Sequence, residues 1–354
     1  MSKPGLDQKT STPWKIVEPQ KYGDWNDRLP ATVGSLFFHT ANWARVLEET
    51  YRYKPLYFIE ESGTRPTGLM PVMEVNSPLT GRRGVSLPFS DYCPLIERDA
   101  PWAGQGLDQV LAYGRKARWN YFEWRGRRNG GSAHRPSASY YRHVLPLDQE
   151  DKLFSHLHDA NRRNIKKALR EKIQVAFYRS PEAMAAFYRL NAMTRREHGL
   201  PPQPYLFFKK IQEHVVAKGM GFVALAYHQD RAIAGAVYFH FRKEALYKYG
   251  ASDAAFQQLR ANNLLMWEAI QWFSQQGFQS LCFGRTDLHH EGLRRFKLGW
   301  GALETTLDYY RYNFKQEAFV EARSKVSGIH TLVFGKLPEP LLRIVGTVLY
   351  KHMG

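Results

Sequence analysis

The sequence has only two cysteines in 354 residues, Cys93 and Cys282, far apart and each in an apolar setting. That excludes a disulfide framework and a zinc site built on paired cysteines, and it fits a reducing compartment. Acidic residues are also in short supply. Against 50 Lys and Arg stand 33 Asp and Glu, leaving a net charge of +17. Such a balance favours polyanionic partners: nucleic acid, nucleotide phosphates or an anionic lipid surface. A merely basic, inert surface is the plain alternative. No run approaches the ~20 apolar residues of a spanning helix. The opening MSKPGLDQKTSTPWK lacks the apolar centre of a secretory signal. A cytoplasmic location is expected.

Several site motifs are missing as well. There is no GxxxxGK(S/T) phosphate loop and no GxSxG nucleophile elbow. The GQG at 104–106 has no third glycine at dinucleotide-binding spacing. His156, His158, His289 and His290 lack a third partner at metal-ligand spacing, so no metal is expected.

What is present is a core. Hydrophobic content is 44% and aromatic content 14%, which excludes global disorder. Single cores rarely grow beyond ~250–300 residues, so 354 residues suggest two fused units. A loose lead-in is expected over residues 1–20. Residues 39–51 read as a helix capped by Thr40 or Asn42, with Trp43, Val46 and Leu47 on one face. Residues 55–75 read as a hairpin, 85–89 and 92–96 as short strands, 103–116 as a helix and 121–124 as a strand. A basic, Gly-rich loop (125–136) and a strand (140–145) follow.

Residues 148–172 are helical by pattern, with Arg162, Arg163, Lys166, Lys167, Arg170 and Lys172 crowding the second half. That cluster is either a solvated face or a phosphate or RNA contact. Helices are expected over 180–198 and 205–218, then a hairpin over 221–241. This hairpin repeats the 55–75 pattern: apolar strand, polar turn, a glycine (Gly68, Gly235), apolar strand. The spacing of about one domain length points to a duplicated unit. A strand at 305–312 closes the second half. Residues 340–352 read as an amphipathic helix with Leu341, Leu342, Val345, Val348 and Leu349 on one face, docked on the core or on a membrane surface.

The stretch Leu246–Leu303 carries the chemistry. A strand (245–251) holds Tyr247 and Tyr249, read as sharing a side, with Gly250 allowing close backbone approach. The turn QLRANN (Gln258–Asn263) leads into a helix over 263–276, whose free N–H groups and dipole suit a pyrophosphate. Arg260 adds a charge there. A second strand, 280–284, leads into a basic loop, 285–301, with Arg285, Arg294, Arg295 and Lys297. These four are solvated cations or an anion-steering cluster.

LYKYGAS, LRANNLLMWEAIQWFSQQG, LCFGRTD and GLRRFKLGWGA, in that order, resemble the Fem-type and BioF2-like branch of the GNAT acyltransferase superfamily. NRRNIKKA (161–168) and TRREHGLP (194–201) resemble it too. The likeness covers about residues 35–312. It implies an α+β fold of two fused GNAT-like halves, each a mostly antiparallel mixed sheet flanked by helices. The boundaries expected are 21–148 and 149–312, with a helical tail over 313–354.

The resemblance implies acyl transfer to an amine on a cell-envelope or polysaccharide precursor. The co-substrate is acyl-CoA or another carrier, or aminoacyl-tRNA if the chain builds peptidoglycan bridges; no cofactor is held permanently. QLRANN lacks the glycines of the usual CoA turn. The Phe-Lys pair of the family matches Phe296–Lys297, with Lys297 on phosphate or the reacting ester. Asp287, after Arg285 at a strand end, is the carboxylate candidate for the proton, or else a turn residue. Tyr249, Gly250, Gln258, Arg260, Asn262 and Asn263 form the expected donor set. Arg196, Tyr205, Arg285 and Arg295 form the expected acceptor or phosphate set, and the family also places an acceptor-phosphate contact at Tyr249. Partners expected are an anionic nucleotide-, lipid- or phosphate-linked acceptor, tRNA, and a peripheral membrane contact through 340–352. A non-catalytic basic module is the reading of another class.

Overall fold

A computed structural model of the protein describes residues 14–30, 36–63, 65–97, 105–126, 135–321, 334 and 337–354. The lead-in before residue 14 and the basic loop from 127 to 134 lie outside these. The described strands form one sheet. In chain order they are β1 (Lys15–Val17), β2 (Lys54–Ser62), β3 (Arg65–Ser77), β4 (Gly81–Val85), β5 (Ile96–Glu97), β6 (Tyr121–Arg125), β7 (Ala138–Pro146), β8 (Gln174–Tyr178), β9 (Gly221–His228), β10 (Arg231–Phe241), β11 (Glu244–Ser252), β12 (Ser280–Asp287), β13 (Leu303–Asn313) and β14 (Ala318–Val320). The order across the sheet is β1-β2-β3-β4-β6-β13-β7-β12-β11-β10-β9-β8.

This order holds a near two-fold repeat. The hairpins β2–β3 and β9–β10 are each followed by a strand that pairs in parallel with a later one: β4 with β6, and β11 with β12. The two centre strands are exchanged. β7, which follows the first half, pairs with β12, while β13, which ends the second half, pairs with β6. Antiparallel pairing of β7 with β13 closes the middle. The fold is thus two fused GNAT-like halves in one mixed sheet. Aligning the hairpin turns places Gly68 opposite Ala234, one residue short of Gly235.

The helices are α1 (Trp25–Arg28), α2 (Ala41–Tyr51), α3 (Gln105–Lys116), α4 (Glu150–His156), α5 (Asp159–Arg170), α6 (Pro181–Glu197), α7 (Tyr205–Ile211), α8 (Ala261–Gln275), α9 (Glu291–Leu298) and α10 (Glu339–Tyr350). Helix α2 forms where its sequence dictates. Thr40 caps it through the Trp43 N–H, and Trp43, Val46 and Leu47 are buried at helical spacing. It stops at Arg52, which turns left-handed at φ 60°. Its buried face meets Phe207 of α7 and Phe239 of β10, so one aromatic core spans both halves. Helices α5 and α8 cover the opposite face of the second half.

Several sequence expectations change. Residues 86–95 form no strand, because this segment leaves the sheet and enters the second half. The helix expected over 148–172 breaks at Leu157–His158, where His158 caps α5 through the Ala160 N–H. The loop expected over 285–301 holds helix α9, capped by His290 through the Leu293 N–H. These caps account for two of the four unassigned histidines.

The expected apolar face of α10 also splits. Leu342, Gly346 and Tyr350 are buried, whereas Leu341 and Val348 face outward. A Cβ on Gly346 would sit 2.0 Å from the Pro202 carbonyl oxygen, so only glycine allows this approach. Beyond the helix, the buried Arg83 guanidinium donates to the carbonyls of His352 (2.7 Å) and Gly354 (2.8 Å). Removing residues 351–354 takes away these two carbonyl acceptors and leaves the guanidinium only Thr80 Oγ1 as an acceptor among the described residues. Denaturant titration of the shortened chain is expected to show a loss of about 3 kcal/mol. A loss below about 0.5 kcal/mol would show that the tail contributes nothing to the core.

Candidate active site

Strands β11 and β12 pair only at their starts, Glu244–Leu246 against Ser280–Cys282, and then part. Both carry a bulge where they part. In β11 the partners of Val237 and Tyr238 are Tyr249 and Tyr247, so Lys248 is an extra residue. In β12 the two residues Phe283 and Gly284 oppose His143 alone. Gly284 is left-handed at φ +69°, which favours glycine. The parting strands and their bulges make a wedge-shaped opening.

The first half fills it. Residues 86–95 are held by Arg125, which donates to the Leu87 and Ser90 carbonyls, and by the Cys93 N–H bond to the Arg125 carbonyl. Leu87 (φ 55°) and Phe89 (φ 59°) are both left-handed, a cost of about 1 kcal/mol or more each for such residues. This strained turn delivers Asp91 into the wedge. Lys248 donates to the Asp91 carboxylate (3.0 Å) and to the Phe89 carbonyl (2.7 Å). The Tyr309 hydroxyl, from the exchanged strand β13, donates to the Asp91 carbonyl at 2.6 Å. A Cβ on Gly284 would meet the Asp91 carboxylate at 3.1 Å.

Helix α9 supplies the next charge. Lys297 is 3% exposed and donates to the carbonyls of Gly284 (3.3 Å) and Arg285 (2.9 Å), the bulge that β12 turns toward it. Its ammonium has three donors, so one remains for the wedge. Arg285 lies over the rings of Tyr140 (4.4 Å) and Tyr309 (5.3 Å). Burial alone would raise Asp91, but the charges of Lys248 and Arg285 hold it below its usual value. Burial lowers Lys248, partly offset by Asp91. Burial likewise lowers Lys297, to about 8, against the opposing pull of Asp91. Asp91 between Lys248 and the buried Lys297, with the exposed Arg285 at the rim, makes a site for an anion or a developing oxyanion.

Residues 155–309 match the family model described as an acetyltransferase (GNAT) domain. Residues 155–309 form a GNAT domain, and the protein is an acyltransferase. The wedge lies within this GNAT domain, apart from Asp91 and its strained turn. No curated protein matches the sequence. Among solved structures, FemX is 13% identical, with a TM-score of 0.65, over 86% of this chain and 98% of its own. A tandem GNAT protein from the clavulanic acid biosynthesis pathway is 11% identical, with a TM-score of 0.53, over 85% and 98%. L-PGS from Bacillus licheniformis is 11% identical, with a TM-score of 0.53, over 85% and 92%. At these identities the likeness is one of fold.

The expected residues of the GNAT domain fall into three groups. Lys297 and Arg285 join the wedge, and Phe296 packs on Trp300 beside them. Asp287 sits exposed at the end of β12; the carboxylate inside the wedge is Asp91. Arg295 is exposed on α9 and Arg196 at the end of α6. Tyr205 opens α7 and packs on Tyr188, away from the wedge charges.

The donor set lies in two places. Gln258, Arg260 and Asn262 are exposed around the first turn of α8, which has no side-chain cap. Asn263 bonds Asn161 of α5 at 3.2 Å. The helix starts at Ala261, two residues earlier than expected, and Arg260 takes the left-handed position (φ 61°) where glycine is common. The turn therefore keeps its shape without glycine, at a cost of about 1 kcal/mol.

Tyr247 and Tyr249 do not share a side, because the Lys248 bulge breaks the alternation. Tyr247 joins the core under α8, and its hydroxyl covers Gly250. Tyr249 packs on Phe207 and Phe208, and its buried hydroxyl has no hydrogen-bond partner among the described residues. Sequence reasoning missed Asp91 and Lys248. A lone lysine inside the apolar run LYKYGA was the available signal; nothing local marks Asp91. Among the described residues, Glu49, Glu213 and His214 come within metal-ligand reach of one another, but the Lys210 ammonium bridges the two glutamates at 2.6 and 2.8 Å.

Two substitutions probe this geometry. Gly284→Ala combines the φ penalty with a push on Asp91, and is expected to cost about 1–2 kcal/mol. A crystal structure of that variant checks whether Asp91 leaves Lys248. Lys297→Met removes a charge whose lowered pKa reflects uncompensated burial. Its melting temperature is expected to equal or exceed the parent's, offset only by two lost hydrogen bonds. The parent binds fewer protons folded than unfolded between about pH 8 and its ordinary value, so its stability gains from Lys297 as pH rises there. Stability curves across pH should lack that gain in the methionine variant.

Proposed function

We propose that the protein is an N-acyltransferase that moves an acyl group from acyl-CoA or a similar activated carrier to an amine on a cell-envelope or polysaccharide precursor. The observation carrying this is the wedge between β11 and β12, with Asp91 inserted between Lys248 and the buried Lys297 and Arg285 at its exposed rim. The amine nitrogen attacks the carbonyl carbon of the ester or thioester. The C–N bond forms and the C–O or C–S bond breaks. Lys297, protonated below about pH 8, stabilises the tetrahedral oxyanion with its remaining donor. Asp91, ionised at neutral pH, takes the amine proton and passes it to the departing oxygen or sulfur. The wedge and its strained turn hold these groups in place before the substrates meet.

The uncapped first turn of α8 is the donor-phosphate position in this reading, with Arg260 beside it. Tyr249 contributes its unpartnered hydroxyl to the acceptor or acyl group. Arg196, Tyr205 and Arg295 stand outside the wedge and are assigned to an extended anionic acceptor.

Aminoacyl-tRNA is the second reading of the donor. It is favoured by helix α5, which touches the start of α8 through Asn161 and exposes Arg163, Lys166 and Arg170 along its length. FemX and L-PGS are neighbours in fold. Purified acyl-CoA and a panel of amine acceptors decide between donors. Turnover without RNA supports the first reading, and activity abolished by ribonuclease supports the second.

Asp91→Asn is expected to lower kcat about a hundredfold or more while leaving donor KM nearly unchanged. An unchanged kcat removes Asp91 from the chemistry. The rate is expected to fall as pH rises through about 8, with Lys297 losing its charge; a rate that instead rises through that pH assigns Lys297 to proton removal. Arg260→Gly is expected to stabilise the fold by about 1 kcal/mol and to raise donor KM. An unaltered KM would take Arg260 out of the donor site.

A further inference from the structure

Helix α10 carries an outward apolar stripe that its packing cannot hide. Leu341 (50% exposed), Ile344 (60%) and Val348 (50%) recur at i, i+3 and i+7. The buried side is fixed. Leu342 is fully buried, Gly346 abuts the Pro202 carbonyl, and the Tyr350 hydroxyl is tied to Arg195 (2.8 Å) and to the Pro201 carbonyl. Rotation of the helix would break those contacts, so the stripe stays outside. The first turn of α7 continues the patch with Tyr205 (43%) and Leu206 (44%).

Charge accompanies the stripe. Helix α10 and the residues after it carry Arg343 and Lys351, with a single acidic residue, Glu339, at the helix start. Between α6 and α10 runs an open groove of about 620 Å³. Arg189 and Arg343 line it beside Tyr188, Tyr205, Ile344 and Val348. The Arg343 guanidinium lies over the Tyr188 ring at 5.1 Å. Cations and apolar side chains therefore share one channel, which matches an anionic head group with an acyl chain attached. No described helix is long and apolar enough to cross a membrane.

We propose that the outer face of α10, with the start of α7, docks the protein on an anionic lipid bilayer. Ile344, Val348 and Leu341 enter the headgroup–acyl boundary, and Arg189, Arg343 and Lys351 meet lipid phosphates. A single interfacial helix with a few cations gives reversible attachment that weakens as salt rises. This docking does not depend on the transfer chemistry proposed above, and it brings an acceptor in the membrane plane to the same molecule.

Flotation of the full chain with phosphatidylglycerol–phosphatidylcholine vesicles, against pure phosphatidylcholine vesicles, tests it. The parent is expected to float with the anionic vesicles only and to be released by salt. The double substitution Ile344→Glu with Val348→Glu is expected to weaken binding about tenfold or more. Arg189→Glu is expected to weaken it roughly fivefold or more. Melting temperatures should stay at the parent value, because these side chains are exposed or half-exposed. Equal binding to neutral vesicles, no binding, or full binding by the double variant overturns the proposal. So does a parent dimer that the double variant turns into a monomer without vesicle binding, since the face then belongs to a second copy.

Discussion

The ion pair between Asp91 and Lys248 is the contact on which the rest of this structure turns. Its two members come from different halves of the chain. Burial works against the charge on each, and each helps keep the other charged, with Arg285 and Lys297 also favouring the Asp91 carboxylate. Lys248 is the more deeply buried partner, so removing Asp91 strands a buried ammonium, whereas removing Lys248 leaves Asp91 with two other cations. The strain at Leu87 and Phe89 is tolerated because Arg125, Lys248 and Tyr309 hold the turn from three sides.

The exchanged strands explain why the site can be so tightly specified. β13 belongs to the second half by sequence yet pairs with β6 of the first, and its Tyr309 reaches both Asp91 and Arg285. β7 makes the reciprocal move and brings Tyr140 to Arg285. The two halves cannot separate without unzipping the centre of the sheet. The wedge therefore sits on a rigid seam, as catalysis by positioning requires. Its counterpart in the first half, between β4 and β6, holds Ser86 and Arg125, which bond to each other and anchor the inserted turn.

Much of this was legible in the residues. Thr40 with Trp43, Val46 and Leu47 specified α2, and the repeated hairpins announced the duplication. Lys297 and Arg285 were expected to be important and lie in the wedge. The errors have identifiable causes. A one-residue bulge at Lys248 reversed the side on which Tyr249 lies, and strand alternation holds no record of a bulge. His158 and His290 interrupt helical and basic patterns by capping the helices that follow them. The apolar residues of α10 were assigned to one face, but burial divides them between core and solvent.

The sequence by itself determined the duplicated α+β architecture, the basic charge, and the strand–turn–helix–strand unit from 245 to 287. Periodicity, turn residues and charge act locally and can be read locally. Only the tertiary structure decided that Asp91, some 157 residues before Lys248, is its partner, and that strands cross between halves. Those contacts follow from which surfaces meet once both halves are folded. Left-handed turns at Leu87 and Phe89 persist only because distant side chains hold them, so no pattern in SLPFSDYC announces where the carboxylate points.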